Sequence, residues 1–466
     1  MADAPPLSSV FSGDCGLGDN GGVNDVPRRT ARRTAKLASL PLGVAGRSAV
    51  GLGKRVAGRP AEAVAAELQA RTAEQLFAVL GELKGGAMKF GQAMSVMEAA
   101  LPEEWVEPYR ASLTKLQEAA PPLPPGRVHA VLAEELGAQW RTEHFREFDD
   151  IPAAAASIGQ VHKATWHDGR TVAVKIQYPG AREALLSDLN QISRVARVAA
   201  GWVPGLDIKP VMAELRSRMG EELDYLLEAE HQRTFAAAFA GDPDFAIPEV
   251  LMATGKVIVT EWLPGVPLAR IIAEGDEDTR SAAAQLFLEF LLAGPVRAGQ
   301  LHADPHPGNF RITPDGRLGV LDFGAVNRLP NGMPPEIGRL LTLALAHDAD
   351  ALVVGLRELG FIKDNIEVEP ADLLDYLLMF MEPLTHERYR YDRTWLRSIT
   401  ARIKDVRRPE WTVGMKLNLP PDYLLIHRTY LGGIGVLCQI GGEVDTREAL
   451  AAYLPNFDLD AVPPAS

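Results

Sequence analysis

The chain has 466 residues, 47% hydrophobic and 23% charged, with a formal net charge of −13. That length allows two to three domains of roughly 150 residues each, and the composition is that of a globular protein with a real core. The acidic balance argues against a general nucleic-acid binder, and two cysteines, Cys15 and Cys438, cannot build a disulfide framework, which points to a reducing, cytoplasmic setting.

The first 25 residues, rich in Gly, Pro, Asp and Ser, have the composition of a disordered tail. They lack the charged start and apolar core of a signal peptide. From Val26 to Ala61 stand Arg28, Arg29, Arg32, Arg33, Lys36, Arg47, Lys54, Arg55 and Arg59, with no acid among them. Such an arm is either a solvated tether or a docking segment for an acidic partner or anionic membrane, where each clustered cation adds up to about 1 kcal/mol. Residues 1–60 are therefore read as tail and arm.

Residues 61–97 are rich in Ala, Leu, Glu and Met, with apolar side chains at three- and four-residue spacing that predict helix, and Pro102 ends it. Further helices are expected over 108–118 and 127–136, separated by the breaker "AAPPLPPG" (119–126). Residues 61–147 thus form a helical extension, and a new domain begins near Phe148. There the period becomes two: "IGQVHKATW" (158–166) and "TVAVKIQY" (171–178) flank "HDGR" (167–170), the pattern of a β-hairpin. Helical sequence runs over 181–200 and 211–239, and "FAIPEVLMATGKVIVTEWL" (245–263) returns to strands with a turn at Thr254-Gly255.

Beyond Pro264-Gly265 the chain is mainly helical, broken by the 302–324 region. The stretch "YLLIHRTYLGGIGVLCQIGG" (423–442) comes nearest to the ~18 apolar residues of a membrane span. His427 and Arg428 interrupt it, and its glycines suggest close helix packing, so membrane contact is expected to be peripheral at most. Residues 456–466 read as a loose tail.

The chemistry concentrates in "HADPHPGN" (302–309), a loop because of Pro305, Pro307 and Gly308. Asp322, in "VLDFG" (320–324), follows Asn309 by thirteen residues. D-x-x-x-x-N followed by D-F-G is the spacing of a protein-kinase catalytic loop and metal loop. Phosphoryl transfer needs a carboxylate near the incoming nucleophile, where Asp304 can stand. It also needs hard oxygen ligands for Mg²⁺ on the ATP phosphates, which Asn309 and Asp322 can supply. A zinc site on His302 and His306 lacks both a helix to align the rings and a third ligand nearby, so these histidines are expected to be hydrogen-bonded within the loop.

Upstream, "VAVK" (172–175) sets Lys175 on a strand, able to reach the nucleotide's phosphates. A loop of the form G-x-G-x-x-G-x-V should precede it. Val161 and Gly159 fit, but Ala154 and Ala156 hold the first two glycine positions and Ser157 follows, so "AAAASIGQV" (153–161) must grip a nucleotide differently. "GEELDYLLEAE" (220–230) offers Glu222, Asp224 and Glu228 as acidic partners for Lys175. Glu261 to Leu263 read as a hinge whose backbone could bind adenine, and equally as plain core strand plus turn.

Together "KFGQ" (89–92), "LQEAAPP" (116–122), "AAAASIGQVHKA" (153–164), "VAVKIQYPG" (172–180), "ELDYLLEA" (222–229), "HADPHPGN" and "VLDFG" resemble the UbiB/AarF atypical kinase family, whose relatives include Coq-associated mitochondrial proteins. The resemblance implies an α+β, protein-kinase-like two-lobed fold. Its small lobe would span 148–265 with a helical insertion, its mostly helical large lobe 266–455, and an N-terminal helical extension would carry K-x-G-Q. It further implies ATP or ADP with Mg²⁺, and a segment bearing Lys89 and Gln92 packed over the site where a protein substrate would bind. On residues alone these two are i, i+3 on one helix and project together, as a plain surface pair would also do. The family is associated with isoprenoid quinone and lipid metabolism, so a lipid or quinone-precursor ligand is expected, and ATP hydrolysis or small-molecule phosphotransfer rather than protein phosphorylation. A nucleotide-dependent scaffold with little catalysis is the alternative.

Overall fold

The computed structural model describes residues 122–156, 158–181, 223–405 and 407–461. The basic arm, the K-x-G-Q segment, Ser157, Glu222 and most of the expected insertion lie outside the described residues.

Helix α1 (Pro125–Leu136) starts on the proline-rich breaker, with proline in its first turn where the missing N–H is no loss. Helix α2 (Trp140–His144) leads into β1 (Phe145–Ala156), β2 (Gly159–Trp166) and β3 (Thr171–Gln177). The expected hairpin is present, β2 pairing antiparallel with β3. Its turn relies on Gly169 at φ 101°, and the Asp168 carboxylate accepts from Arg170 N–H. On β3, Val172, Val174 and Ile176 alternate onto a core shared with Val128, Val131, Leu132 and Trp140. Helices α1 and α2 therefore belong with the sheet, and the expected boundary at residue 148 moves back to about 125. The cause is apolar: the inward stripe of α1 covers one face of the strands.

Helix α3 (Tyr225–Ala238) is capped by the Asp224 side chain, which accepts from Leu227 N–H. Strand β4 (Phe245–Ala246) is followed by β5 (Val250–Ala253) and β6 (Val257–Glu261). The five-stranded sheet runs β1-β2-β3-β6-β5, all antiparallel. Strand β4 stands outside it and pairs parallel with Leu318 and Gly319 in a second sheet.

After β7 (Val266–Pro267) come α4 (Leu268–Glu274) and α5 (Glu277–Ala298), the latter lined on its buried side by Phe287, Leu288, Phe290, Leu291 and Leu292. Gly299 ends α5 in the left-handed region, φ 62°. Strands β8 (Gln300–His302), β9 (Phe310–Ile312), β10 (Leu318–Val320) and β11 (Val326–Arg328) frame the polar loop. The second sheet runs β4-β10-β9-β7, while β8 pairs with β11.

The remaining chain is mainly helical, with α6 (Pro335–Leu345), α7 (Ala349–Glu358), α8 (Pro370–Leu378), α9 (Arg393–Lys404), α10 (Pro409–Lys416), α11 (Pro421–Ile440) and α12 (Thr446–Tyr453), and one short antiparallel pair, Tyr389–Arg390 with Glu443–Val444. The glycines of α11 do permit close packing, since a Cβ on Gly433 would sit 2.7 Å from Leu291 Cδ1 on α5. Among the described residues no helix is long and apolar enough to cross a membrane. The loose tail expected from residue 456 is corrected in part. Phe457 is buried in the helical core and Asp458 N–H donates to Thr342 Oγ1, because the backbone of residues 455–457 closes over Gly338 of α6.

Candidate active site

Parity on β3 delivers Lys175. With Val174 and Ile176 facing α1, Lys175 points to the opposite face, level with Val161 on β2 and Ile258 on β6. Its Nζ donates to Glu228 Oε1 at 2.6 Å and to Asp322 Oδ2 at 3.1 Å. Burial pulls the Lys175 ammonium down, but the carboxylates of Asp322 and Glu228 outweigh it and hold the pKa well above its ordinary value. The Tyr225 ring lies under the same ammonium, 5.2 Å from Nζ to its centroid.

Of the three acids offered by the α3 region, Glu228 meets Lys175. It is 3% exposed, on the inward stripe Tyr225, Glu228, Ala229, Gln232, Phe235. Asp224 instead is exposed and caps the helix.

Asp322 follows β10, and its Oδ1 accepts from Gly324 N–H at 2.9 Å, which shapes the D-F-G turn. Phe323 is fully buried against Phe235 and His302. His302 Nε2 donates to the Asp322 carbonyl at 2.6 Å. Leu321 N–H donates to Asn309 O at 2.9 Å, which ties Asn309 beside the start of that turn. Asn309 Nδ2 donates to both Asp304 O and Asp304 Oδ2 at 3.0 Å, orienting that carboxylate. His306 Nδ1 accepts from Gly308 N–H, so both histidines are engaged in holding the loop. Among the described residues no group of three or more His, Cys, Asp or Glu could hold a metal ion. A divalent ion here would rest on Asp322, Asn309 and the phosphates of a ligand, a sparse oxygen set that suits Mg²⁺.

Residues 115–354 match the ABC1 atypical kinase-like domain. The chain belongs to this family. It is 30% identical to the atypical kinase coq-8, mitochondrial, of Caenorhabditis elegans, over 88% of this chain and 55% of that protein. It is 29% identical to the atypical kinase COQ8, mitochondrial, of Saccharomyces cerevisiae, over 78% of this chain and 72% of that one. The chain thus spans between about half and three-quarters of these two relatives. Among solved structures it is similar to Rv3197 of Mycobacterium tuberculosis in complex with erythromycin, 44% identical over 87% of this chain and all of that one, with a TM-score of 0.66. The kinase-like α+β fold and the UbiB/ABC1 membership expected from the motifs are therefore shown.

Within this ABC1 fold the alanine-rich stretch is strand, not loop. Strand β1 continues through Ala156, pairing Ala154 with Val161 and Ala156 with Gly159. Gly159 is required by its neighbours, because a Cβ there would sit 2.2 Å from Ile176 O. Glu261 ends β6 with its carboxylate 3.2 Å from Arg170 Nη1 at the surface. Leu263 O accepts from Arg311 Nη1.

Sequence reasoning missed Gln160, His162 and Arg311. Leu123 N–H donates to Gln160 Oε1 at 2.7 Å, Gln160 Nε2 donates to His162 Nε2 at 2.7 Å, and His162 Nδ1 donates to Asp149 O at 2.7 Å. This buried chain fastens the proline-rich segment to the sheet. Parity could have found it, since Gln160 and His162 share the buried register of Ala164 and Trp166 on β2.

Proposed function

We propose that this ABC1-family chain is a Mg²⁺-dependent, ATP-using phosphotransferase or ATPase acting in isoprenoid quinone or lipid metabolism rather than on proteins in trans. The observation that carries it is Lys175 held between Glu228 and Asp322, with Asn309 and Asp304 alongside.

In this reading Lys175 binds the inner phosphates as a permanent cation, kept in place by Glu228. Asp322 and Asn309 would hold the metal, Asn309 through its amide oxygen because its nitrogen is committed to Asp304. Mg²⁺ bound there would neutralise charge on the phosphate oxygens. Asp304, held by Asn309, accepts the proton of the attacking hydroxyl or water. ATP rather than another nucleotide, and a lipid or quinone-type acceptor, are supported by the family membership. The same membership supports Lys89 and Gln92 lying across the protein-substrate surface. The acid-free run of cations over 26–61 supports peripheral contact with anionic membrane, and the presence of only two cysteines supports a cytoplasmic setting.

The test is Mg·ATP turnover by the purified full chain, with and without anionic liposomes or a quinone-like phenol. Stimulated turnover is expected. Binding without any turnover would leave the scaffold reading, and no binding of Mg·ATP would sink both. Erythromycin belongs in the same binding assay, because a relative 44% identical is its complex.

A further inference from the structure

Helix α10 turns Glu410 and Val413 inward and leaves Trp411, Thr412 and Met415 on its outer face. Trp411 and Met415 are i, i+4 and so stand together, Met415 70% exposed and Trp411 36%. The apolar surface continues just beyond the end of α8. Gly414 lets the Tyr376 ring approach α10, since a Cβ there would lie 3.4 Å from Tyr376 Oη, and that ring meets Phe380 edge-on at 5.4 Å. Phe380 is itself 38% exposed. Single apolar side chains at a surface are ordinary, but three large ones joined in this way mark a place suited to something other than water.

Positive charge flanks them. Residues 393–416 hold seven Lys or Arg and two acids, in a chain whose net charge is −13. Both acids are engaged: Glu410 Oε1 accepts from Arg402 Nη2 at 2.7 Å, and Asp405 Oδ2 lies 3.8 Å from Arg408 Nε. Among the described residues no carboxylate lies within ion-pair distance of Lys404, Arg407 or Lys416. Lys416 ends α10, while Lys404 and Arg407 precede its start, so cations stand at both ends of the apolar face. That outer face carries no acid or carboxamide with which a protein partner could fix an orientation. An indole, a thioether and long cationic stems are what a lipid headgroup layer accepts: the ring sits among the headgroups while ammonium and guanidinium groups reach the phosphates.

We propose that the α9–α10 corner, with Trp411 and Met415 at its centre, docks on an anionic phospholipid surface. Trp411 and Met415 enter the headgroup layer, and Lys404, Arg407 and Lys416 pair with the lipid phosphates. This deepens the membrane contact proposed above and rests on that reading. It places the contact on a folded surface of the large lobe, apart from the cations of residues 26–61, and is independent of the nucleotide chemistry.

The experiment mixes the full chain with vesicles of phosphatidylcholine, alone or with phosphatidylglycerol added. Flotation reads binding, and tryptophan quenching by lipid brominated in its acyl chains reads insertion. Wild type should float with the anionic vesicles, lose binding as salt rises, and be quenched. Trp411→Phe should float as well as wild type and lose most of the quenching. Trp411→Ser combined with Met415→Ser should lower vesicle affinity about tenfold or more at an unchanged melting temperature. Arg407→Gln combined with Lys416→Gln leaves the apolar face intact and should also weaken binding, which decides the matter if the serine variant does not fold. Flotation of these double variants equal to wild type assigns the membrane contact to the arm and overturns the proposal. Quenching that survives Trp411→Phe overturns it as well. If wild type floats with neither vesicle, the proposal and the membrane reading fall together, and a loss of self-association in the serine variant would then make this face a protein interface.

Discussion

Glu228 Oε1 lies 2.6 Å from Lys175 Nζ, although 53 residues separate the two in sequence. Glu228 is 3% exposed and the Lys175 side chain 18%, so neither charge has enough water to stand alone. Glu228→Ala is expected to cost about 3 kcal/mol of stability, the lower end for breaking a buried pair because Asp322 still faces the lysine. Urea denaturation measures it, and a loss below roughly 1 kcal/mol would place Lys175 in water. The double variant Lys175→Met with Glu228→Leu should regain most of the stability and still fail to bind Mg·ATP.

Two aspartates of the polar loops should separate binding from chemistry. Asp322→Asn removes a ligand charge and should abolish the Mg²⁺-dependent thermal shift with nucleotide. Asp304→Asn should keep that shift and lower turnover by about 10²–10⁴-fold, the usual contribution of a general base. An Asp322→Asn protein with a wild-type shift would remove this carboxylate from the metal site.

Gly159 should behave as a packing residue. A methyl there meets the Ile176 carbonyl, so Gly159→Ala is expected to destabilise by about 1–3 kcal/mol before any nucleotide is added. Ala156→Gly, at its ladder partner on the end of β1, should cost no more than about 1 kcal/mol. Melting of the two apo proteins side by side checks this, and equal melting temperatures would contradict it.

His162 gives the fold a pH dependence. Burial lowers its pKa below the ordinary 6.5, with the Asp149 carbonyl acting in the opposite direction. The unfolded chain then binds the proton more readily, so the stabilisation is complete above about pH 6.5 and is lost as pH falls through the window below it. His162→Gln should flatten that dependence. Denaturation midpoints at pH 7.5 and 5.5 for both proteins provide the comparison, and parallel losses would assign the effect to other groups.

The hairpin and the polar loop could be read from sequence because each is a local pattern. Val172, Val174 and Ile176 alternate around Asp168-Gly169, and Asp304, Asn309 and Asp322 keep a fixed spacing. What sequence left open was three-dimensional. Glu222, Asp224 and Glu228 are equally acidic, and only the phase of α3 turns Glu228 inward while its start makes Asp224 a cap. The alanine stretch looked like a phosphate loop because it occupied that place in the motif, whereas the strand runs on through Ala156. The helices before residue 145 were assigned to the extension because linear order cannot tell which sheet face a helix covers.

Helix α3 has a consequence for how the molecule comes apart. Tyr225, at one end, sits in a small cluster with Ile158 and Ile258 of the antiparallel sheet. Phe235, ten residues on, lies in the large cluster with Phe290 and Phe323. One rod about 21 Å long is thus anchored in two apolar cores. Neither core can open by itself without stripping an end of the rod, so the two should be released together, and amide protons along α3 should exchange with solvent only at the free energy of the whole described unit.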